Sequence, residues 1–425
     1  MKIIIHPSED QWKEIISRPA LDNEKLLKNI RKILIDIKKG RDRSVRKYTK
    51  KFDGTTIRKL RISEREITKA SEKIEPHLKE AMEIAIKNIT QFHAIQKEQS
   101  VIVETMTGVR CWRKSVPIER VGIYIPGGSA PLFSTVLMLA VPAKIAGCKQ
   151  IVLCTPPSSE GTIHPAILFA ANLVGITEIY ACGGAQAIAA MAYGTETVPK
   201  VDKIFGPGNQ YVTAAKQLVQ MEGVAIDMPA GPSEVCVLSD ETGIPSYIAS
   251  DLLSQAEHGP DSQVLFISTD KSILDTAISE LNNQLNQLPR AVIASKALEN
   301  STAVLVENMD KGLELVNAYA AEHLIIASEK ADEYAEKIVH AGSVFLGNNS
   351  PESAGDYASG TNHTLPTNGH ARAYSGVSVD SFVRKITFQL INEEGINTIG
   401  NTIVTMAIAE GLDAHANAVK IRLKK

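Results

Sequence analysis

The sequence predicts an α/β protein of two doubly wound parallel-sheet domains, with a helical N-terminal region and a small helical C-terminal tail. Three observations carry this reading. At 425 residues the chain is too long for one ordinary core. From about residue 119, short apolar β-rich runs alternate with helical stretches, as in a parallel sheet covered by helices on both faces. Near Val235 the alternation begins again, so the economical arrangement is two Rossmann-like units side by side. The divisions read from the chain are a helical region over 1–120, a first α/β domain over 121–233, a second over 234–380, and a C-terminal segment over 381–425. No internal repeat is visible as sequence identity.

Residues 8 to about 100 read as helical and polar. Ser63-Glu64-Arg65-Glu66 fits a capping box, and Ile67, Ala70 and Ile74 follow at helical spacing. Pro76 breaks that helix, and Leu78, Met82, Ala85 and Ile89 mark the next stripe. In the first unit, Val121–Ile125, Gln150–Cys154, Glu178–Cys182 and Lys203–Phe205 read as strands. The helices that follow them are 133–145, 164–174, 185–192 and 211–219. In the second, Val235–Ser239, Val264–Ile267, Ala291–Ala294, Ala303–Val306 and Leu324–Ala327 are the buried-strand candidates. A helix is expected over Pro245–His258, started by Pro245 and ended by Gly259-Pro260. The chain turns irregular from Gly347 through Thr367 and is mostly helical from Asn397.

Composition narrows the function classes. A 44% hydrophobic and 22% charged content is that of a soluble globular protein, and a formal charge of -2 gives no general pull toward nucleic acid or anionic membrane. The basic cluster between Lys38 and Lys51 reads as a solvated helix face. Five cysteines with no CxxC pair argue for a reducing, cytoplasmic setting and against a disulfide framework. The apolar run at Met1–Pro7 is too short for a signal peptide, and Leu132–Ala146, interrupted by Pro142 and Lys144, is too short to span a membrane.

Two constellations carry candidate chemistry. Gly127-Gly128, Gly183-Gly184 and Gly206-Pro207-Gly208 each lie between a strand and a helix, where backbone N–H groups and a helix N-terminus favour a phosphate. None is a GxGxxG fingerprint, so plain tight turns compete with a nucleotide site. The second unit holds metal-type residues: Gln255 and His258 at i and i+3, Glu322-His323 at a strand start, Asp356, His363, His370, and Glu410 with His415 in the tail. Their separation leaves the ligand set open. Glu322 and His323 are the residue types that divide acid-base work. Cys154, with nothing basic beside it, reads as packing, and Cys111, near Arg110 and Arg113, does so less firmly.

Motifs in order along the chain resemble the histidinol dehydrogenase family. They are Gly122-Ile123-Tyr124-Ile125-Pro126-Gly127-Gly128-Ser129-Ala130, Gly183-Gly184-Ala185-Gln186-Ala187 and Gly206-Pro207-Gly208-Asn209. Asp227-Met228-Pro229-Ala230-Gly231-Pro232-Ser233-Glu234, Ser254-Gln255-Ala256-Glu257-His258-Gly259 and Ala321-Glu322-His323-Leu324 follow. Gly355-Asp356-Tyr357 and Glu410-Gly411-Leu412-Asp413-Ala414-His415 complete the set, while the first hundred residues carry least of it. The resemblance implies oxidation of L-histidinol through L-histidinal to L-histidine with two NAD⁺. It implies one Zn²⁺ held by Gln255, His258, Asp356 and His415, with zinc orienting the substrate. It further implies His323 as general base, Glu322 as activator of water, and substrate contacts from Ser233, Gln255, His258, His323, Asp356, Glu410 and His415. Tyr124, Gln186 and Asn209 are implied to line the NAD site. A homodimer is implied in which the tail crosses to the partner. His363 and His370 are read as loop or oligomer residues. A zinc hydrolase using Glu322 or His323 is the rival from another class.

Overall fold

A computed structural model describes residues 1–18, 23–127 and 130–423, so Gly128 and Ser129 of the first glycine turn lie outside the described residues. The first unit is a five-stranded parallel sheet of Arg120–Tyr124, Gln150–Thr155, Glu178–Ala181, Lys203–Phe205 and Ala225–Ile226. Numbered by appearance, its strands stand in the order 3-2-1-4-5. The strands are near-continuous apolar runs because helices cover both faces; Val121, Ile123, Val152 and Leu153 are fully buried. The helix Phe133–Ala146 is buried almost all round and ends at Gly147, whose φ of 92 supplies the left-handed cap. The long helix Asn23–Phe52 packs on the helices Gly184–Tyr193 and Gln210–Met221, which turns the expected basic face of 38–51 outward. Lys38, Arg41 and Lys47 pair there with Glu222, Glu196 and Asp36.

The second unit repeats the same order. Glu234–Ser239, Gln263–Ser268, Thr302–Leu305, His323–Ala327 and Ser343–Leu346 again stand 3-2-1-4-5 and all run parallel. The topology thus contains a duplication that no sequence identity displays. One extra strand, Lys2–Ile5, joins its edge in parallel register with Thr302–Leu305.

Several expectations are corrected. Ala291–Ala294 is the start of a helix, Ala291–Glu299. Its Ala294, Ala297 and Leu298 are buried at helical spacing while Val292 is exposed, and the strand position is taken by Thr302–Leu305. The helix expected to run to His258 stops at Ala256 with Glu257 as its cap, so His258 lies just beyond it. The stretch read as irregular after Gly347 contains the helix Glu352–Tyr357. The N-terminal region read as helical also holds strands. Besides Lys2–Ile5, Ile102–Met106 and Val109–Pro117 form a hairpin, and Val383–Ile391 from the C-terminal segment pairs antiparallel with the latter. Gly108, at φ +78, makes the turn. The tail folds as the helices Glu393–Ala409 and Asp413–Leu423, packed on each other and, through the former, on this small sheet.

Candidate active site

The two glycine turns that lie wholly within the described residues sit at the carboxyl ends of the first sheet, where a crevice opens beside the first strand. Gly206 has φ +124 and packs against the Tyr124 carbonyl so closely that any Cβ would collide with backbone. Its N–H donates to Asp227 Oδ2 at 2.8 Å and its carbonyl accepts from Lys216 Nζ at 2.9 Å, while Lys216 and Asp227 form a buried ion pair. This holds the turn in place. Asn209 caps the helix Gln210–Met221, its Oδ1 accepting from Tyr211 and Val212 N–H. The buried Tyr124 hydroxyl accepts from Gly184 N–H at 3.1 Å, and burial pushes its pKa up. Gln186 is buried; its Nε2 donates to Asp53 at 3.4 Å and its Oε1 has no hydrogen-bond partner among the described residues. Tyr124, Gln186 and Asn209 thus share one cleft of about 1320 Å³.

The metal-type residues gather at the opposite end of the second sheet. Glu234 and His323 begin adjacent strands, so Ser233, Glu322 and His323 come together at the amino edge. The helix Pro245–Ala256 returns antiparallel to the strands, and its last turn brings Gln255 and then His258 to the same edge. One ring nitrogen of His258 and one carboxylate oxygen each of Glu352 and Asp356 lie within 4.8 Å of one another. His323 Nε2 stands 3.6 Å from Asp356 Oδ1, and its Nδ1 stands 3.7 Å from Glu322 and 3.9 Å from Glu352. The Nδ1 also faces the Glu234 carbonyl at 3.3 Å, while Glu322 Oε2 accepts from Glu234 N–H at 3.0 Å.

Burial by itself lowers the His323 pKa, but Glu352, Glu322 and Asp356 outweigh it and hold the ring at about 10. Burial raises Glu322 to about 8, opposed by His323, and raises Glu352 as well. Three carboxyl groups around one buried histidine form a pocket whose acids a bound cation would bring to their ionised form.

A divalent cation fits this donor set. Gln255 is fully buried, yet neither its Oε1 nor its Nε2 has a hydrogen-bond partner among the described residues. Leaving an amide so costs about 1–3 kcal/mol, which a metal–oxygen bond offsets. His258, Asp356 and Gln255 would hold the ion from this chain.

Glu352 is a residue that sequence reasoning missed. It stands four positions before Asp356 on the helix Glu352–Tyr357, a same-face spacing that was there to be read. His363, read as a loop or oligomer residue, lies in a loop, and that loop places it next to the cluster. Its Nδ1 meets the Asp356 carbonyl at 2.9 Å and its Nε2 meets Thr135 Oγ1 at 3.1 Å, so it ties the second unit to a helix of the first. His370 sits in a short 3-10 turn against Tyr374. Glu410 and His415 are exposed on the tail, and no side-chain hydrogen bond or ion pair joins them to the cluster among the described residues. All five cysteines are free; four are buried, and burial raises the Cys148 thiol to about 11 and Cys154 and Cys236 well up. Half-buried Cys111 lies on the antiparallel sheet, outside the cluster.

A doubled α/β fold with a glycine-turn crevice on one unit and a cluster of acids and histidines on the other defines a class: a two-unit α/β enzyme scaffold. The comparisons with known proteins give the particular family. The family model described as histidinol dehydrogenase matches residues 16–423, and the chain belongs to the histidinol dehydrogenase family. It is 60% identical over 423 residues to the histidinol dehydrogenase of Bacteroides thetaiotaomicron, covering 100% of this chain and 99% of that one. It is 50% identical over 417 residues to that of Escherichia coli K12, covering 97% and 95%. The crystal structure of histidinol dehydrogenase from Elizabethkingia anophelis superposes with a TM-score of 0.98 at 57% identity, covering 100% of this chain and 98% of that chain.

Proposed function

We propose that the chain oxidises L-histidinol through L-histidinal to L-histidine with two NAD⁺, the closing steps of histidine biosynthesis, at a site where Zn²⁺ orients the substrate. Family membership supports the activity. The observation that carries the metal-dependent form is the buried Gln255 amide with both polar atoms unpartnered, just before His258. When bound, NAD⁺ supplies a hydride acceptor, and Zn²⁺ supplies a clamp that fixes the carbinol carbon.

The protein's own groups then carry the protons. The acids around His323 favour its charged ring; a divalent cation held by Gln255, His258 and Asp356 would offset them and bring the ring to its neutral form. With Nδ1–H donated to the Glu234 carbonyl, Nε2 then accepts the alcohol proton as hydride departs. A bound cation would likewise favour the ionised form of Glu322, which, with Oε2 engaged by Glu234 N–H, takes a proton through its other oxygen from the water that hydrates the aldehyde. His323 takes the proton of the hydrated aldehyde in the second oxidation. Retaining the aldehyde between the two steps shields it from side reactions. Ser233, at the same strand edge, contacts the substrate.

The active form is a homodimer in which Glu410 and His415 of one subunit complete the site of the other. This is supported by their exposure and by Met406, Ile408, Leu412 and Ile421, large apolar side chains left open on the tail. A cytoplasmic location is in keeping with five free cysteines, and no helix among the described residues is long and apolar enough to cross a membrane.

The test is NADH formation from NAD⁺ and histidinol, with and without a chelator. Histidinol-dependent NADH, lost on chelation and restored by Zn²⁺, is expected. Absence of cofactor reduction by zinc-loaded protein would leave the hydrolase as the reading.

A further inference from the structure

In doubly wound dinucleotide sites, the acid that binds the adenosine ribose ordinarily stands just past the second strand. Here the second strand of the first unit ends at Thr155, and the first carboxylate after it is Glu160, five residues on, in an exposed turn rather than at the strand end. The cleft is nonetheless lined by three acids: Asp36, Asp53 and Glu160. Asp36 is engaged by the Tyr48 hydroxyl at 2.6 Å and by Lys47, and Glu160 is exposed on a loop. Asp53 differs from both. It is half-buried in the cleft wall, touches Gln186 Nε2 through Oδ2, and has no ion-pair partner among the described residues.

Its placement works against stability. Asp53 follows directly on the helix Asn23–Phe52, its N–H bonded to the Thr49 carbonyl at 2.8 Å, at the helix end where negative charge is disfavoured. Burial raises its carboxyl to about 6, opposed by the Gln186 hydrogen bond. A carboxylate kept desolvated, unpaired and at the wrong end of a helix calls for a ligand that satisfies it.

Strand order says which part of the ligand that is. The half of the sheet carrying strands two and three is the adenosine side of such a fold, and the half carrying strands four and five is the nicotinamide side. Gln186 lies in the first turn of the helix after strand three, so Asp53 beside it faces the adenosine side.

We infer that Asp53, acting with Gln186, accepts the hydroxyl hydrogen bonds of the adenosine ribose and selects NAD⁺ over NADP⁺ by repelling a 2′-phosphate. Asp53 thus takes the role that a strand-end acid ordinarily fills, supplied from the end of the N-terminal helix outside the sheet in preference to the exposed Glu160. This rests on the proposed use of NAD⁺.

The test is binding of NAD⁺ and of NADP⁺ to the full-length protein by calorimetry, without substrate or turnover. The wild type is expected to bind NAD⁺ at least about tenfold more tightly than NADP⁺, the scale of one charge-assisted hydrogen bond. In Asp53→Asn, NAD⁺ affinity falls about tenfold and the preference over NADP⁺ shrinks toward unity. Asp53→Glu, which keeps the charge on a longer arm, loses NAD⁺ affinity but still rejects NADP⁺. Wild-type NAD⁺ binding with an unchanged ratio in folded Asp53→Asn overturns this inference alone. A wild type that binds neither nucleotide overturns the NAD⁺ reading and the inference with it.

Discussion

At the residue scale, the proposed chemistry turns on His323, whose two nitrogens have different surroundings. Nδ1 faces a backbone carbonyl and two acids, while Nε2 stands 3.6 Å from Asp356 Oδ1 with no hydrogen-bond partner among the described residues. His323→Asn is expected to keep the metal, because Gln255, His258 and Asp356 are untouched, yet to lower turnover by about 10²–10⁴-fold, the range of general-base catalysis. Metal content and single-turnover NADH formation measure the two effects separately. Loss of the metal together with turnover would contradict the role given to His323. The Glu322-His323 pair was legible in the sequence because two titratable groups at a strand start are uncommon. The part played by Glu352 and His363 was not. Both are brought in by the loop and short helix after Gly347, and their partners, His258 and Thr135, lie far away in the chain.

At the scale of elements, the parallel strands were readable because strands buried on both faces are written as continuous apolar runs. The antiparallel sheet was harder to see. Ile102–Met106 is exposed along its whole length, and Val383–Ile391 is nearly so, so neither carries a buried stripe. Charged contacts help to tie this sheet together. Glu98 accepts from Lys385 at 2.5 Å and from Arg113 at 2.6 Å, and these two hydrogen bonds, Lys385 first, hold its carboxyl down at about 2. A folded-state pKa below the unfolded value means that the contribution is complete above the ordinary glutamate range and is lost as pH falls toward 2. Glu98→Gln should therefore lower the melting temperature slightly at pH 6, and the gap to wild type should narrow below about pH 4.5 and close only as pH approaches 2. A gap that is constant with pH would show that Glu98 acts by packing rather than charge. Ala291–Ala294 shows the opposite difficulty, since a four-residue apolar run reads equally as strand or helix, and burial at Ala297 and Leu298 decides it.

At the scale of the whole molecule, two sheets share the order 3-2-1-4-5 but place their chemistry at opposite ends. In the first, the crevice lies at the carboxyl edge. In the second, that edge is closed by its own hydrogen bonds, Ser239 to Ser268 at 3.0 Å and Thr242 and Ser328 to Asp240 at 2.5 Å, and the cluster occupies the amino edge. His363 and Thr135 join the two units across the gap. The duplication was legible as a second run of strand–helix alternation but not as sequence identity, because different side chains fill equivalent positions. The exposed tail bears on assembly. His415→Asn and His323→Asn proteins, each inactive alone, should recover up to about a quarter of wild-type activity per site when their subunits are exchanged, if each site takes its last residues from the other chain. No recovery after demonstrated exchange would mean that each chain completes its own site.

The central claim is that one site oxidises one substrate twice. Its most direct measurement is the amount of NADH formed from a limiting, known quantity of histidinol by the zinc-loaded protein with NAD⁺ in excess. The expected result is two NADH for each histidine recovered, with no free aldehyde trapped by an added carbonyl reagent. One NADH per histidinol with trapped aldehyde, or no NADH at all, would contradict the account.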